Sequence, residues 1–228
     1  MIRIVIADDQ TIVRQGLRAL LETTPDFCVV GEAGDGLEAV ALVERFEPDV
    51  LMIELALPGL SGLEAARRVS AQTRVVVLSA HLAEFNVVDA VKNGAIAYVP
   101  KNSSAEQLFL ALRGAAGGTR HLGLPLSDDV VDEHARTVTD PAREPLSALT
   151  NREREVLQLV AEGYTSCQVG RRLSISRRTA EAHRANMMRK LGLRSLSDLI
   201  RVALVCGLVP TSGPRFESAR TAQLEEAY

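Results

Sequence analysis

The sequence predicts two domains: a doubly wound α/β domain built on a five-stranded parallel sheet, then an all-α domain of four short helices. Three observations carry this prediction. Over residues 1–118, short apolar runs alternate five times with segments of helical spacing. That is the pattern of a parallel sheet covered on both faces through right-handed crossovers. From Leu149 onward the helical spacing recurs in short blocks with no strand between them. The charge divides at the same place. Residues 1–145 hold 13 Lys and Arg against 21 Asp and Glu, a net of −8, and residues 146–228 hold 13 against 8, a net of +5. An acidic front half joined to a basic rear half directs only the rear half toward a polyanion.

Taken in order, Ile2–Ala7 is an apolar strand, Ile12–Leu21 a helix, Phe27–Ala33 a second strand and Leu37–Phe46 a second helix. The third strand, Val50–Glu54, is bounded by Pro48-Asp49 and Pro58-Gly59, as a buried parallel strand is when it runs out into a loop. Helix Gly62–Val69, strand Val75–Ser79, helix Glu84–Lys92, strand Ala97–Val99 and helix Ala105–Arg113 complete the domain. Gly117-Gly118 closes the last helix. Residues 119–145 collect acids with Pro125, Pro141 and Pro145 and read as an acidic linker, with room for one short helix over Ser127–Ala135.

The rear domain, residues 146–210, opens on Thr150-Asn151-Arg152-Glu153, a capping box that satisfies the free amides of a helix start. Its apolar positions recur until Gly163. Helices Ser166–Leu173, Arg177–Leu191 (capped by Ser176) and Leu196–Cys206 follow, a helix-turn-helix arrangement. Residues 211–228 form a polar tail, expected to be disordered, with helical potential over Ala219–Ala227. Composition sets the class. Apolar content is 46%, and no apolar run approaches the ~20 residues of a membrane helix. Met1-Ile2-Arg3 leads straight into a strand, without a leader pattern. Cys28, Cys167 and Cys206 have no metal or redox spacing and are expected to be buried filler in a reduced compartment, the cytoplasm.

In a doubly wound sheet the strand ends converge on one edge. Asp8-Asp9 ends the first strand, Glu54 the third, Ser79 the fourth, and Lys101 follows the fifth. Three carboxylates so close repel unless a divalent cation neutralises them, and oxygen-only ligands suit Mg²⁺. A lysine and a hydroxyl opposite supply donors for phosphoryl oxygens. Singly, each residue has a structural reading: Ser79 a cap, Lys101 a solvated charge, Asp8 a turn former. Together at matching strand ends they point to phosphoryl chemistry on a carboxylate.

The segments IADD, LALPGLSG, VVVLSA and GAIAYVPK resemble a bacterial response-regulator receiver domain, a flavodoxin-like fold. The resemblance implies that Asp8, Asp9, Glu54 and the backbone carbonyl of Ala56 surround Mg²⁺. It makes Ser79 and Tyr98 the switch pair and Lys101 the phosphoryl contact. The phosphate-accepting position, an Asp in that family, is Glu54 here. Glu projects its carboxylate ~1.5 Å farther, one bond, and positioning errors of ~1 Å cost orders of magnitude in rate. Ordinary phosphotransfer is therefore not expected. The longer arm instead places negative charge near where an aspartyl phosphate would, although one charge replaces nearly two.

Between Arg171 and Lys190 there are seven basic residues and one acid, Glu181, a skew that favours nucleic acid over a solvated helix face. The stretch from Leu149 to Leu193 closely resembles the LuxR-type helix-turn-helix, and RTAEAHRANMMRKL the FixJ branch. Both motifs in this order resemble the NarL/FixJ response regulators. By that resemblance Ser166–Ala185 is the helix-turn-helix and Arg177–Leu191 enters the major groove. Ile175, Ala180, His183, Met187 and Leu191 have core spacing, so His183 is expected to pack rather than ligate. Arg178, Glu181, Ala182, Arg184 and Ala185 are expected to face base edges, and Ser176, Thr179, Arg189 and Lys190 to hold phosphates. Gly170, where Ala is typical, is expected to weaken its helix by ~0.5–1 kcal/mol. Ala180 is expected to loosen packing.

The expectation is a cytoplasmic, non-enzymatic transcription regulator in which a receiver gates a DNA-binding domain. Its partners would be double-stranded DNA, a sensor histidine kinase that Glu54 bypasses, a second copy on DNA, and RNA polymerase, with no membrane. The alternative is a receiver-like interaction regulator, inert as a phosphoacceptor. An aspartate-nucleophile phosphatase would need Asp-x-Asp where Asp8-Asp9-Gln10 stands. A flavin protein would need a Ser/Thr/Gly-rich loop where Asp9-Gln10-Thr11-Ile12 stands.

Overall fold

The computed structural model describes residues 1–80, 84–123, 146, 148–206 and 208. The segment proposed as a helix over Ser127–Ala135 and the tail after residue 210 lie outside these. The chain divides into two compact units, one holding the sheet and the other the rear helices. In the first, strands β1 (Ile2–Ala7), β2 (Phe27–Ala33), β3 (Val50–Ile53), β4 (Arg74–Ser79) and β5 (Ala95–Pro100) alternate with helices α1 (Thr11–Glu22), α2 (Gly36–Phe46), α3 (Gly62–Val69), α4 (Glu84–Lys92) and α5 (Ala105–Ala116). The sheet order is β2-β1-β3-β4-β5-β6, and every pairing is parallel.

The sixth strand, β6 (His121–Leu122), was not expected. It pairs with Ala97 and Tyr98 at the edge of the sheet, within residues read as linker. Two half-buried residues cannot display a period of two, so the sequence carries no sign of them. β3 is different. Its Val50, Leu51, Met52 and Ile53 are each at most 1% exposed, because a strand covered on both faces must be apolar at successive positions.

The order reverses between β1 and β3, and this places the site. Ala7 pairs with Ile53, and Ile53 with Val77. The residues that follow Ala7 and Ile53, Asp8 and Glu54, therefore leave the sheet side by side, with the Glu54 amide donating to the Ala7 carbonyl at 2.9 Å. Ser79 pairs with Pro100, and the next amide, Lys101, donates to the Ser79 carbonyl at 2.9 Å. Such a switch point is where α/β sheets bind ligands.

The second unit contains α6 (Asn151–Ala161), α7 (Ser166–Arg172), α8 (Arg177–Lys190) and α9 (Leu196–Val205). The Thr150–Glu153 capping box forms as expected, and a second one joins Thr165 and Gln168 before α7. Ser176 caps α8 by accepting the Thr179 amide. Helices α6, α7 and α8 end alike, with left-handed residues Gly163, Ser174 and Gly192. In each, the following amide reaches back to close the last turn: Tyr164 to Leu159, Ile175 to Gly170, Leu193 to Met188. This double closure lets a helix stop within two residues. Leu157, Leu159, Val169, Met187, Leu199 and Ala203 form the core, with Ile175 and Leu191 against it.

Ala180 is 1% exposed, among the core side chains of this unit. The expectation for Gly170 is corrected. A Cβ at Gly170 would lie 2.8 Å from the Ile175 carbonyl oxygen and 3.3 Å from the Arg177 nitrogen. The α7–α8 turn folds back onto Gly170 too closely for a side chain. Gly170→Ala is therefore expected to forfeit the ~0.5–1 kcal/mol that helix propensity would supply, which urea unfolding of the two chains measures. No disulfide joins the cysteines among the described residues, and they differ in exposure: Cys206 is buried, Cys28 half-buried and Cys167 exposed, so only Cys206 is filler.

Candidate functional site

Asp8 and Glu54 are 2% and 6% exposed. The Lys101 ammonium lies between them, 2.5 Å from Asp8 Oδ2 and 2.8 Å from Glu54 Oε2. Glu54 Oε1 accepts the Ser79 hydroxyl and the Leu55 amide, each at 2.6 Å. Asp8 Oδ1 accepts the Gln10 amide at 2.9 Å. Every carboxylate oxygen of the pair thus has a protein donor. Burial alone would lower the Lys101 pKa, but its bonds to Asp8 and Glu54 outweigh that and hold it above the ordinary lysine value. Tyr98 is fully buried on β5. Asp9 and Ala56 are half-buried in the loops after β1 and β3.

The expected cluster of acids is thereby altered. Two carboxylates share one ammonium, and among the described residues no group of three or more His, Cys, Asp and Glu is placed to hold a metal ion. A lysine supplies two charge-assisted hydrogen bonds here, so these acids are neutralised from within. Arranged in this way, Asp8 and Glu54 would admit a divalent ion only by giving up the ammonium they share.

Sequence reading missed two residues at this site. Arg14 on α1 donates from Nη1 to the Asp8 carbonyl at 2.7 Å and from Nη2 to Thr11 at 3.2 Å, bracing the acidic loop. Gly62 opens α3 so close to β3 that a Cβ there would lie 2.0 Å from the Glu54 carbonyl oxygen. Helical spacing around Arg14 and the glycine ahead of a helix were visible; their contacts were not.

On α8, Arg178, Glu181, Ala182 and Ala185 are exposed, while Arg184 and His183 are half-buried. Ser176 and Thr179 are exposed and hydrogen-bonded to each other at 2.8 Å. Glu181 is paired with Arg177 at 2.8 Å, and Arg189 donates to Asn186 at 3.1 Å. Lys190 is exposed and is also engaged within the unit. Its ammonium is 2.7 Å from Glu153, an acid 4% exposed at the start of α6. Burial would raise the Glu153 carboxyl, but Lys190 and the Thr150 hydrogen bonds outweigh that and hold it below its ordinary value. Lys190 thus ties the end of α8 to the start of α6.

Residues 4–113 match the response regulator receiver domain, and residues 147–203 the luxR family of bacterial regulatory proteins. The oxygen regulatory protein NreC of Staphylococcus aureus is 36% identical over 209 residues, 89% of this chain and 96% of the relative. The chain is a NarL-type two-component response regulator. A LuxR-family response regulator from an Aurantimonas species is 34% identical, with a TM-score of 0.52 over 60% of this chain and 96% of that one. The receiver of NarL from Mycobacterium tuberculosis is 32% identical, with a TM-score of 0.50 over 51% of this chain and 97% of that one. Salmonella RcsB bound to the rprA promoter shares the fold at 22% identity, with a TM-score of 0.57 over 88% of this chain and 97% of that one. This response regulator is therefore a DNA-binding transcription regulator with a receiver and a LuxR-type helix-turn-helix. Among the described residues, no helix is long and apolar enough to cross a membrane.

Proposed function

We propose that this response regulator binds its DNA sites without a kinase, because Glu54 supplies part of the charge that phosphorylation supplies in its family. One observation carries the reading: the Glu54 carboxylate engages both Ser79 and Lys101, the donors that the family directs at a phosphoryl group. A two-state receiver responds to whatever binds one state better, and a carboxylate that is part of the chain and hydrogen-bonded to the switch serine is always present to do so. A sensor histidine kinase is then bypassed. Mg²⁺, typical of receivers, would meet Asp8, Asp9 and the Ala56 carbonyl only once Lys101 had left Asp8. The protein acts in the cytoplasm, where double-stranded DNA and RNA polymerase are its partners, and has no enzymatic role.

Helix α8 enters the major groove, with Arg178 and Arg184 reading guanine edges, Glu181 cytosine, Ala182 and Ala185 thymine methyls, and Ser176, Thr179 and Arg189 the phosphates. Leu196, Ile200 and Leu204 are 44%, 36% and 42% exposed at four-residue spacing on α9, and this stripe suits the same stripe of a second copy on adjacent half-sites. Arg178→Ala is expected to weaken specific binding by ~1–3 kcal/mol and relax preference at one base, read by fluorescence anisotropy. The functional test is genome-wide DNA capture with the purified chain and Glu54→Asp, both without phosphodonor. Stronger recovery of the same sites by the Glu54 chain supports the proposal. Equal recovery would favour the inert-receiver alternative.

A further inference from the structure

The geometry points to Lys101 as the resident cation of the receiver pocket, held by Glu54 against Asp8 so that the regulator works without a divalent metal ion. This deepens the reading of Glu54 above and rests on it, but it concerns what the pocket binds rather than what the rear unit binds. A divalent ion on this edge would draw on the same two buried carboxylates that the ammonium already bridges. Lys101 takes Asp8 Oδ2 and Glu54 Oε2, while the Gln10 amide donates to Asp8 Oδ1 and Ser79 and Leu55 to Glu54 Oε1.

The length of Glu54 produces this closure. Its carboxylate reaches Ser79 and Lys101 together while its own backbone stays paired with Ala7. An aspartate would withdraw the carboxylate by ~1.5 Å, one carbon–carbon bond. The Ser79 and Lys101 contacts could not both survive that retreat. Asp8 and the shortened acid would then face each other with less positive charge between them, the condition that calls for a hard cation. The ammonium is also well sheltered, its side chain 19% exposed between acids 3% and 7% exposed. A metal ion would have to displace a charge that the protein already holds in place.

Isothermal titration of MgCl₂ into the full chain, Glu54→Asp and Lys101→Met tests this, with NaCl matched for ionic strength. The Glu54 chain is expected to show no saturable uptake at millimolar Mg²⁺. Glu54→Asp and Lys101→Met are each expected to show saturable binding in the same range. Circular dichroism of each variant confirms that it is folded. If Lys101→Met does not fold, the Glu54→Asp comparison alone decides. Mg²⁺ binding by the Glu54 chain as tight as by Glu54→Asp, or no gain in a folded Lys101→Met, would overturn the inference. DNA affinity measured on the same samples separates the two ideas. A drop on Glu54→Asp without a change in Mg²⁺ binding sinks the resident-cation claim and leaves the phosphate-mimic reading intact.

Discussion

Lys190→Met is expected to lower the unfolding free energy of the helical unit by about 2 kcal/mol, less than the ~3–5 kcal/mol for one partner of a fully buried ion pair because the lysine itself is exposed. The loss falls on Glu153, which is buried at the head of α6 and already engaged by the Thr150 amide and hydroxyl. Without Lys190 its charge is left in a poorly solvated position. The acid dependence follows from the same contacts. The folded Glu153 carboxyl lies below its ordinary value of 4.5, so its stabilisation is complete above that value and fades as pH falls through the lower, folded one. Thermal unfolding below pH 4.5 should therefore fall more steeply for the parent chain than for Glu153→Gln. Parallel curves for the two would contradict this account of the pair.

Gly62→Ala is expected to cost about 3 kcal/mol or more, at the upper end of overpacking. The added methyl would meet the Glu54 carbonyl oxygen at 2.0 Å and the carbonyl carbon at 2.9 Å. These are backbone atoms that cannot rotate away, and the Gly62 amide is itself tied to the Leu55 carbonyl at 2.8 Å. The chain between β3 and α3 would have to move, carrying Glu54 away from Ser79 and Lys101. Urea unfolding reports the stability loss, and DNA affinity should fall with it. A folded Gly62→Ala of parental stability would show that α3 tolerates displacement.

Much of the front domain was legible because a buried parallel sheet writes consecutive apolar residues into its strands. Val50–Ile53 is such a run, and the acids at its end and at the end of β1 mark the pocket by position alone. Which donor each acid receives was not legible. Lys101 could equally have been a solvated charge, and only its place between Asp8 and Glu54 shows otherwise. His121–Leu122 is too short to carry a period. Helix propensity misjudged Gly170 because it ignores the backbone that folds onto it from Ile175. Lys190 looked like its neighbour Arg189, since a basic residue near the end of a recognition helix suits a phosphate and a distant carboxylate equally well. The capping box at Thr150 was visible, but that its glutamate also receives Lys190 depends on tertiary packing.

In the proposed function the Glu54 carboxylate, hydrogen-bonded to Ser79 and paired with Lys101, holds the receiver in its DNA-binding state. Anisotropy titrations of one captured DNA site with the parent chain and Glu54→Asp, each with and without a small-molecule phosphodonor, test it most directly. The account predicts tight binding by the parent that ignores the phosphodonor, and weaker binding by Glu54→Asp that the phosphodonor restores. Equal affinity of the two chains before phosphodonor is added would contradict it.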